Sequence, residues 1–289
     1  MTRAAGIDVG GTKFLGVVLD DDGVVVIERR RATPRGGDTI IRELAEFAAE
    51  LGPYDTLGIG VPGLVTRVGT LRAAPNLVGV NELMVGPRLQ ELLGHPVLVD
   101  NDATCAAVAE WRHGAARGFD DVLLVTLGTG IGGGLVMGGQ LQRGANGFAG
   151  EIGHMVVQLD GEPCVCGRRG CWERYASGAA LKRLSGGSKG EEVVAAARQG
   201  DVDSVAVIDT FAHWVAIGLA NLTNLLDPAC IVLGGGLAAS SDVFLGPISR
   251  EFVSLLYSPE HRPHPRLTFA ELGERAGAIG AALLPTAHS

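Results

Sequence analysis

The sequence predicts an α/β protein with a largely parallel sheet and helices on both of its faces. Two observations carry this prediction. Short apolar runs bounded by Gly, Pro, Asn or Asp alternate with longer segments whose apolar residues recur at the helical period. In addition, a strand, a glycine-rich loop, a second strand and a turn occur at residues 6–25, and the same plan recurs at 122–142. This recurrence suggests an internal duplication.

The chain opens with a predicted β-meander. Strands are expected at Ala4–Val9, Phe14–Leu19 and Val24–Arg30, with a hairpin turn at Asp20–Gly23. Apolar residues at helical spacing predict a helix over Asp38–Leu51, which Gly52-Pro53 would end. The first half is completed by strand Thr56–Val61, helix Leu83–Leu93, strand Val97–Val99 and helix Asp102–Trp111, N-capped near Asn101-Asp102.

The second half begins with strand Val122–Leu127. Its further predicted elements are loop Gly128–Gly134, strands Leu135–Met137 and Gln140–Gln142, helix Val205–Leu226, strand Ile231–Leu233, loop Gly234–Gly236, and helices Phe244–Tyr257 and Ala276–Leu284. Ligands bind at loops that follow the carboxyl ends of strands in folds of this class. The glycine-rich loops are therefore the candidate ligand sites.

Composition excludes several classes of protein. A chain of 289 residues with 46% apolar residues can bury a sizeable core as one large or two ordinary domains. A net charge of −8, without a Lys/Arg run among aromatics, argues against nucleic acid as a partner. We expect a cytoplasmic protein without a membrane partner, because no signal segment is visible and no apolar run approaches the length of a membrane span.

The first glycine-rich loop, Asp8–Lys13, lies between two strands, so it is neither a Rossmann fingerprint nor a Walker loop. A plain hairpin turn is the alternative. Asp8, however, ends an apolar strand, where a carboxylate is costly unless it serves a cation. Together with the loops at 128–134 and 234–236 it predicts nucleotide binding between two lobes. The expected nucleotide-binding residues are Asp8, Gly10, Gly11, Thr12, Lys13, Gly128, Thr129, Gly130, Gly132, Gly234 and Gly235.

Three polar residues, Asp100, Asn101 and Asp102, stand between a strand and a helix. An N-cap explains only one of them. The functional interpretation is a general base that accepts a hydroxyl proton, with Asn101 holding a ligand hydroxyl. Asp102 is preferred as the base, because a side chain on a strand, such as that of Asp100, more often points into the sheet.

His154, Cys164, Cys166 and Cys171 form a four-ligand set typical of structural zinc. A structural disulfide is the alternative, disfavoured in a reducing compartment. His154 could also be a sugar contact or a packed core residue. The remaining cysteines, Cys105 and Cys230, are expected in the core.

Carboxylates lie on either side of this zinc set. Glu151 and Glu173 could accept hydrogen bonds from the hydroxyls of a polyol. A solvated surface residue is the alternative for Glu173. Gly63 and Asn76 are candidate ligand contacts for which turn chemistry is an equally simple explanation.

These motifs resemble those of the ROK family, which comprises bacterial repressors, open reading frames and sugar kinases. The resemblance lies in Leu124–His154 and in the series Cys164, Cys166, Gly167, Gly170, Cys171, Trp172 and Glu173, and it extends to Asp8–Lys13, Asn101-Asp102 and Gly234–Gly236. It implies an actin-like, ribonuclease H-like two-lobe ATPase fold. The lobes are expected at residues 1–117 and 118–275, with a helix at about 276–289 packing back onto the first.

The resemblance also implies an activity, namely ATP-dependent phosphorylation of a hexose, most commonly glucose, at its 6-hydroxyl, with magnesium. Asp102 would be the base, and Asp8 would orient the magnesium through water. The sugar would be held by Asn76, Asn101, Glu151, His154 and Glu173. A homodimer or homotetramer is implied. N-acetylmannosamine, fructose, mannose and allose remain alternative substrates, and polyphosphate an alternative donor.

A noncatalytic sugar-sensing regulator is the alternative from a different class. Repressors of the family resemble its kinases with an added N-terminal helix-turn-helix, for which the few residues before the first strand leave no room here. Loss of the Asp102 carboxylate would have been the sign of a noncatalytic sensor, and the carboxylate is present.

Overall fold

The computed structural model describes residues 3–74, 77 and 79–287. Within them the strands are β1 (Ala4–Val9), β2 (Lys13–Leu19), β3 (Val25–Ala32), β4 (Thr56–Val61), β5 (Leu64–Val65), β6 (Thr70–Ala73), β7 (Asn81–Met84), β8 (Val97–Asn101), β9 (Val122–Leu127), β10 (Ile131–Met137), β11 (Gln140–Leu141), β12 (Cys230–Gly234) and β13 (Arg266–Phe269). The α-helices are α1 (Gly37–Glu50), α2 (Val85–Leu93), α3 (Asp102–His113), α4 (Glu173–Ala176), α5 (Gly178–Leu184), α6 (Gly190–Arg198), α7 (Val202–Leu226), α8 (Ser241–Leu255) and α9 (Ala276–Ala287). Short 3-10 helices cover Ile152–His154, Gly236–Ser240, Pro259–His261 and Gly273–Arg275.

Two five-stranded sheets have the same plan. The first has the order β3-β2-β1-β4-β8 and the second β11-β10-β9-β12-β13. In each sheet the last three strands in this order are parallel, whereas β3 and β11 pair antiparallel with their neighbours. The equivalent orders support the predicted internal duplication. The expectation of a largely parallel sheet was wrong, because each half opens with a hairpin that adds antiparallel strands to a parallel core.

The chain forms two compact units. The first comprises the described residues of Met1–Asp120, Gly134–Gly150 and Glu271–Ser289, and the second comprises Asp121–Gly133 and Glu151–Ala270. Helix α9 therefore belongs to the same unit as the N-terminal sheet.

Helix α9 packs directly on the first sheet because both surfaces are made of small residues. A Cβ atom on Gly6 of β1 would lie 2.0 Å from the carbonyl oxygen of Ala278, and one on Gly58 of β4 would lie 1.8 Å from that of Ala281. On its other side the helix meets α3, where a Cβ on Gly280 would lie 1.6 Å from the Cys105 carbonyl oxygen. No larger residue fits at these glycines without moving the helix. Helix α3, which begins at Asp102, is thereby held rigidly within the first unit.

Most predicted elements have bounds that differ by three residues or fewer from the observed ones, and two differences change what a segment forms. The helix expected from Leu83 begins at Val85, because Asn81–Met84 pairs with β6 in a three-stranded sheet of order β5-β6-β7. The loop expected over Gly128–Gly134 is shorter, because β10 begins at Ile131. Glycines inside this strand hid its apolar alternation. Helices α4, α5 and α6 and strands β5, β6 and β13 had not been predicted.

Helix α7 corrects the expectation that no apolar segment approaches the length of a membrane span. Its 25 residues are long and apolar enough to cross a membrane by length and composition, with a mean hydropathy of 1.5 over the best window. Half of that window is buried inside the second unit, where α7 packs against α4, α5, α6 and α8. A core helix of a globular unit has this character.

Candidate active site

The proposed base lies at the carboxyl end of the first sheet. Strands β1, β4 and β8 are parallel, and Asp8, Gly60 and Asp100 align across them. Chain segments that follow these strands meet at one edge, as predicted for a ligand site. Asp8 and Asp102 thus belong to the same edge, and the charge of Asp102 acts on Asp8.

Local hydrogen bonds fix the start of α3. Asn101 is the N-cap, and its Oδ1 accepts the N–H groups of Ala103 at 2.9 Å and Thr104 at 3.2 Å. Its Nδ2 donates to the carbonyl oxygen of Gly63 at 3.1 Å. Asp102 accepts the Ala103 N–H at 2.9 Å and stays half-buried. Burial raises the pKa of Asp102, opposed by that N–H. A carboxylate of raised pKa is a better proton acceptor.

Asp100 has a different environment from Asp102. Its side chain is 1% exposed, and its Oδ2 lies 2.8 Å from Nε of Arg143. Burial raises the pKa of Asp100, and the Arg143 guanidinium opposes that rise. The expectation that the Asp100 side chain points inward agrees with this burial, and the ion pair leaves Asp102 as the carboxylate that a substrate could reach.

Asp8 is a half-buried carboxylate whose desolvation is only partly offset by the positive charge of Lys13. Burial, and next the charge of Asp102, raise its pKa from 3.8 to about 7, while Lys13 lowers it. A Cβ added to Gly60 would lie 3.5 Å from Asp8 Oδ1 and 3.6 Å from Asp102 Cα, so only glycine leaves this space between them open. Two carboxylates at one sheet edge fit a site that receives a cation.

The turn between β1 and β2 is a tight hairpin, and Thr33, the residue after β3, hydrogen-bonds to it. Gly10 N–H donates to the Lys13 carbonyl at 2.9 Å, and Thr33 Oγ1 donates to the Gly10 carbonyl at 2.6 Å. Gly11 and Thr12 are exposed. Lys13 Nζ, expected on a phosphate, lies 2.6 Å from Glu274 Oε2. Both side chains of this pair are about half exposed, so the pair is weak and can be exchanged for an anionic ligand.

A second glycine turn lies at the carboxyl ends of β9 and β12 in the second unit. Gly128 donates to the Gly130 carbonyl at 3.0 Å and accepts from the Gly178 N–H at 2.8 Å, which places the turn against the start of α5. Gly235 has a φ of +84°, and a Cβ there would lie 2.6 Å from the Leu127 carbonyl oxygen. The loops that begin at Gly128 and Gly234 are therefore neighbours. Gly132, in contrast, lies in β10, where its N–H donates to Thr126 Oγ1 at 3.0 Å.

The four predicted metal ligands converge in the second unit. One ligand atom from each of His154, Cys164, Cys166 and Cys171 lies within 4.8 Å of the others. Cys164 Sγ is 3.7 Å from His154 Nδ1, and Cys166 Sγ is 3.6 Å from Cys171 Sγ. A tetrahedral zinc with Zn–S bonds of about 2.3 Å separates its sulfurs by about 3.8 Å. The donor set therefore fits zinc, and all five cysteines of the chain are free thiols rather than disulfides.

The candidate sugar carboxylates lie beside this cluster. Glu151 Oε2 is 3.9 Å from His154 Nε2, the ring nitrogen that does not face the thiols. Glu173 Oε1 is 3.1 Å from Cys164 Sγ and 3.9 Å from His154 Nδ1, and its side chain is only 13% exposed. The alternative of a solvated surface glutamate is therefore wrong for Glu173. A Cβ on Gly130 would lie 2.7 Å from Glu173 Oε2, so this carboxylate also borders the glycine turn.

Trp172 fastens the cluster to the core of the second unit. Trp172 lies between Cys171 and Glu173 in the sequence, and its indole is fully buried. The indole Nε1 donates to the Trp214 carbonyl of α7 at 2.7 Å. A Cβ on Gly218 of α7 would lie 2.0 Å from Trp172 Cε2. Because Gly218 has no side chain, the Trp172 indole can pack directly against the backbone of α7.

The structure places each predicted site residue that it describes in one of the two units. The first unit holds Asp8, Gly10, Gly11, Thr12, Lys13, Gly63, Asn101 and Asp102; the second holds Gly128, Thr129, Gly130, Gly132, Gly234, Gly235, Glu151, His154, Glu173 and the three clustered cysteines. Asn76 lies outside the described residues. Gly63 has a φ of +106°, and a Cβ there would lie 2.1 Å from the Ala73 carbonyl oxygen, so local geometry alone requires this glycine.

Among the described residues of the first unit, sequence reasoning missed the buried carboxylate of Glu110 and the largely buried guanidinium of Arg143. Glu110 is 0% exposed, and it accepts the N–H groups of Ala115, at 2.9 Å, and Leu272, also at 2.9 Å. A glutamate within the apolar run of α3 was a visible signal for Glu110. Arg143 lies in a polar stretch, so nothing local distinguished it.

The chain is similar to known proteins over almost its whole length. The ROK family model matches residues 4–288. The glucokinase of Streptomyces coelicolor is 36% identical over 98% of this chain and 97% of its own length. The xylose repressor of Bacillus subtilis is 31% identical over 99% of this chain and 77% of its own length. Among solved structures, a ROK family glucokinase from Streptomyces griseus in complex with glucose and AMPPNP has a TM-score of 0.87 and 37% identity, with 98% of both chains covered.

These similarities extend from the first strand to the last helix. They confirm the predicted fold class, the actin-like ATPase fold of ROK sugar kinases. The family match covers the glycine turns, the Asn101-Asp102 pair and the Cys/His cluster alike. The chain therefore belongs to the ROK family.

Proposed function

We propose that this protein is a glucokinase that transfers the γ-phosphoryl group of ATP to the 6-hydroxyl of glucose. The observation that carries the proposal is the half-buried Asp102 carboxylate at the carboxyl ends of the parallel strands β1, β4 and β8, in a chain similar over almost its whole length to glucokinases. Other hexoses, including N-acetylmannosamine, fructose, mannose and allose, are the alternative substrates.

In the proposed reaction Asp102 accepts the proton of the sugar 6-hydroxyl. The hydroxyl oxygen forms a bond to the γ-phosphorus, and the bond between that phosphorus and the β–γ bridging oxygen breaks. The products are the hexose 6-phosphate and ADP. Burial of Asp102 raises its pKa, which makes the carboxylate a stronger proton acceptor. The hydrogen bond from the Ala103 N–H holds the carboxylate in its orientation.

The turns at Gly10–Lys13 and Gly128–Gly130 are proposed to contact the phosphates through main-chain N–H groups, with Gly234 and Gly235 nearer the base. Magnesium, when bound with ATP, would neutralise charge on the phosphate oxygens. Asp8 is the residue that would orient it, and the raised pKa of Asp8 fits a carboxylate that a cation stabilises.

Asn76, Asn101, Glu151, His154 and Glu173 are proposed to hold the sugar, with Gly63 beside Asn101. His154 would bind zinc through Nδ1 and direct Nε2 to the ligand, since Nε2 faces away from the thiols. The zinc would have four protein ligands and no open position, so its role is structural. It would hold the sugar-binding side chains in place.

The test is a coupled assay of ADP release over a panel of hexoses, with ATP and polyphosphate compared as donors. We expect the highest kcat/KM for glucose with ATP. Asp102→Asn keeps the shape of the side chain and should retain glucose binding, while kcat falls by about 10³-fold or more. Near-normal turnover in Asp102→Asn would remove this residue from the role of base.

A noncatalytic sugar sensor is the alternative favoured by the similarity to a xylose repressor. Glucose binding without ADP release in the wild-type protein would support it. We further propose a cytoplasmic homodimer or homotetramer without a nucleic-acid or membrane partner. Light scattering and cell fractionation test these points.

A further inference from the structure

A buried ion pair joins the strand that carries the proposed base to a distant loop of the same unit. Asp100, the last residue but one of β8, is 1% exposed, and its Oδ2 lies 2.8 Å from Nε of Arg143. The Arg143 side chain is itself only 14% exposed. Its Nη2 donates to the Val99 carbonyl at 3.3 Å. The planar guanidinium thus contacts two consecutive residues at the end of β8.

The Asp100 carboxylate links Arg143 to the residues that follow it, Asn101 and Asp102. Its Oδ1 accepts the N–H of Asn101 at 2.8 Å. Asn101 in turn caps α3 and donates to Gly63, and Asp102 is the first residue of that helix. Asp100 therefore contacts the N-cap residue directly, and the orientation of Asn101 and of the adjacent Asp102 side chain depends on where the Asp100 carboxylate lies.

The arginine side of the pair belongs to the loop that leads to Glu151. The Arg143 carbonyl accepts the Ala149 N–H at 3.2 Å, which closes the loop 143–149. Gly144 is held separately, because its carbonyl accepts from Arg67 Nε at 3.0 Å. Gly147 has a φ of +97°, and a Cβ there would lie 2.5 Å from the Val65 carbonyl oxygen. The loop therefore has supports that do not depend on Asp100.

Stability alone gives a weak reason for this ion pair. A buried pair contributes little net stability, because removing both charges from water offsets most of their attraction, and neutral replacements are often as stable. The supports at Gly144 and Gly147 already hold the loop. What they do not provide is a contact to the residues immediately before the proposed base.

We propose that Arg143 is a positioning residue that, through Asp100, holds Asn101 and Asp102 in the orientation required for sugar binding and proton transfer. This inference rests on the proposed function. It assigns to Arg143 no contact with substrate. Its effect should therefore appear in kcat and in the KM for the sugar, and not in the KM for ATP.

The first test is a set of variants at Arg143. Arg143→Gln should lower kcat about 100-fold, the effect of a small displacement of a catalytic group. It should also raise the KM for glucose and leave the KM for ATP within about twofold. Arg143→Lys, which keeps the charge but loses the two-point contact, should recover part of kcat. Guanidinium at a non-denaturing concentration should restore activity to Arg143→Ala.

The second test removes both charges, because Arg143→Gln alone leaves a buried carboxylate unpaired and could prevent folding. The double variant Asp100→Asn/Arg143→Gln should fold, as judged by circular dichroism and a cooperative thermal transition. Its kcat should be as low as that of Arg143→Gln, because the two residues act as one unit. Arg67→Gln is the matched control, since it supports the same loop without touching Asp100, and it should keep kcat within about threefold.

The results separate failure of this inference from failure of the proposed function. An active wild type together with a folded double variant of normal kcat and normal KM for glucose would refute the inference alone. An equal fall in kcat in Arg67→Gln and Arg143→Gln would also refute it, because Arg143 would then only support the loop. Failure of guanidinium to restore activity to Arg143→Ala would refute it for the same reason. A wild type that phosphorylates no hexose overturns both.

Discussion

Asp8→Asn is expected to make the ligand-free protein more stable while it removes activity. The side chain keeps its size and loses its charge. In the wild type, burial and the neighbouring Asp102 disfavour the charged carboxylate and raise its pKa from 3.8 to about 7. Above that pH the folded protein must hold a carboxylate that the unfolded chain leaves in water. The asparagine avoids this cost.

The size of the effect follows from the shift in pKa. A rise from 3.8 to about 7 corresponds to an upper limit of about 4 kcal/mol of destabilisation. Asp8 is only half-buried, and solvent screens part of this cost, so we expect a gain of about 2 kcal/mol in Asp8→Asn at pH 8. For a protein of this size that gain raises Tm by roughly 4 °C or more.

The pH dependence has a definite sign. Below 3.8 Asp8 is protonated in both the folded and the unfolded states, so wild type and variant should be equally stable there. As the pH rises from 3.8 toward about 7, the free energy of unfolding of the wild type falls below that of the variant. Above about 7 the difference between the two proteins is constant. The advantage of Asp8→Asn should therefore grow between these values and then level off.

The assay is thermal and urea unfolding of ligand-free protein across this pH range, beside ADP release with glucose. Asp22→Asn, in the exposed turn after β2, is the control and should leave Tm at pH 8 unchanged. MgATP should stabilise the wild type more than Asp8→Asn, since the cation relieves the cost only where the carboxylate is present. An Asp8→Asn protein that is no more stable than the wild type at pH 8 would refute this reasoning.

Two further perturbations test the zinc cluster and its support. Cys166→Ser should lower the amount of bound zinc and raise the KM for glucose at least tenfold, because His154 would lose the metal that orients it. Metal analysis that finds no zinc in the purified wild type would contradict the proposed role of the cluster. Gly218→Ala should destabilise the protein by about 2 kcal/mol although alanine favours helices, because its Cβ would lie 2.0 Å from Trp172. Gly190→Ala, whose Cβ would meet only Leu181 at 3.4 Å, is the matched control and should be neutral or stabilising; equal Tm values for the two variants would exclude steric contact as the cause.

Local patterns in the sequence were sufficient for much of the fold. Strands β1, β4 and β9 have the predicted bounds, because each is an apolar run stopped by glycine or proline. The N-cap at Asn101 and the convergence of His154 with the clustered cysteines also followed from residue type and spacing. These features depend on residues close together in the chain, or on chemistry that few arrangements satisfy.

The tertiary structure decided what depends on distant partners. The Asp100–Arg143 ion pair and the contact of Lys13 with Glu274 each join segments whose own sequence gives no sign of the other. The burial of Glu173 beside Cys164 decided between two interpretations that the sequence had left open. The sheet of β5, β6 and β7 was missed for the same reason, since short strands are stabilised by pairing rather than by propensity. The sequence by itself therefore determined the family, the longer elements and the type of chemistry. Which carboxylates are buried, paired or available depends on solvent exposure and charge distances, and these exist only once the chain has folded.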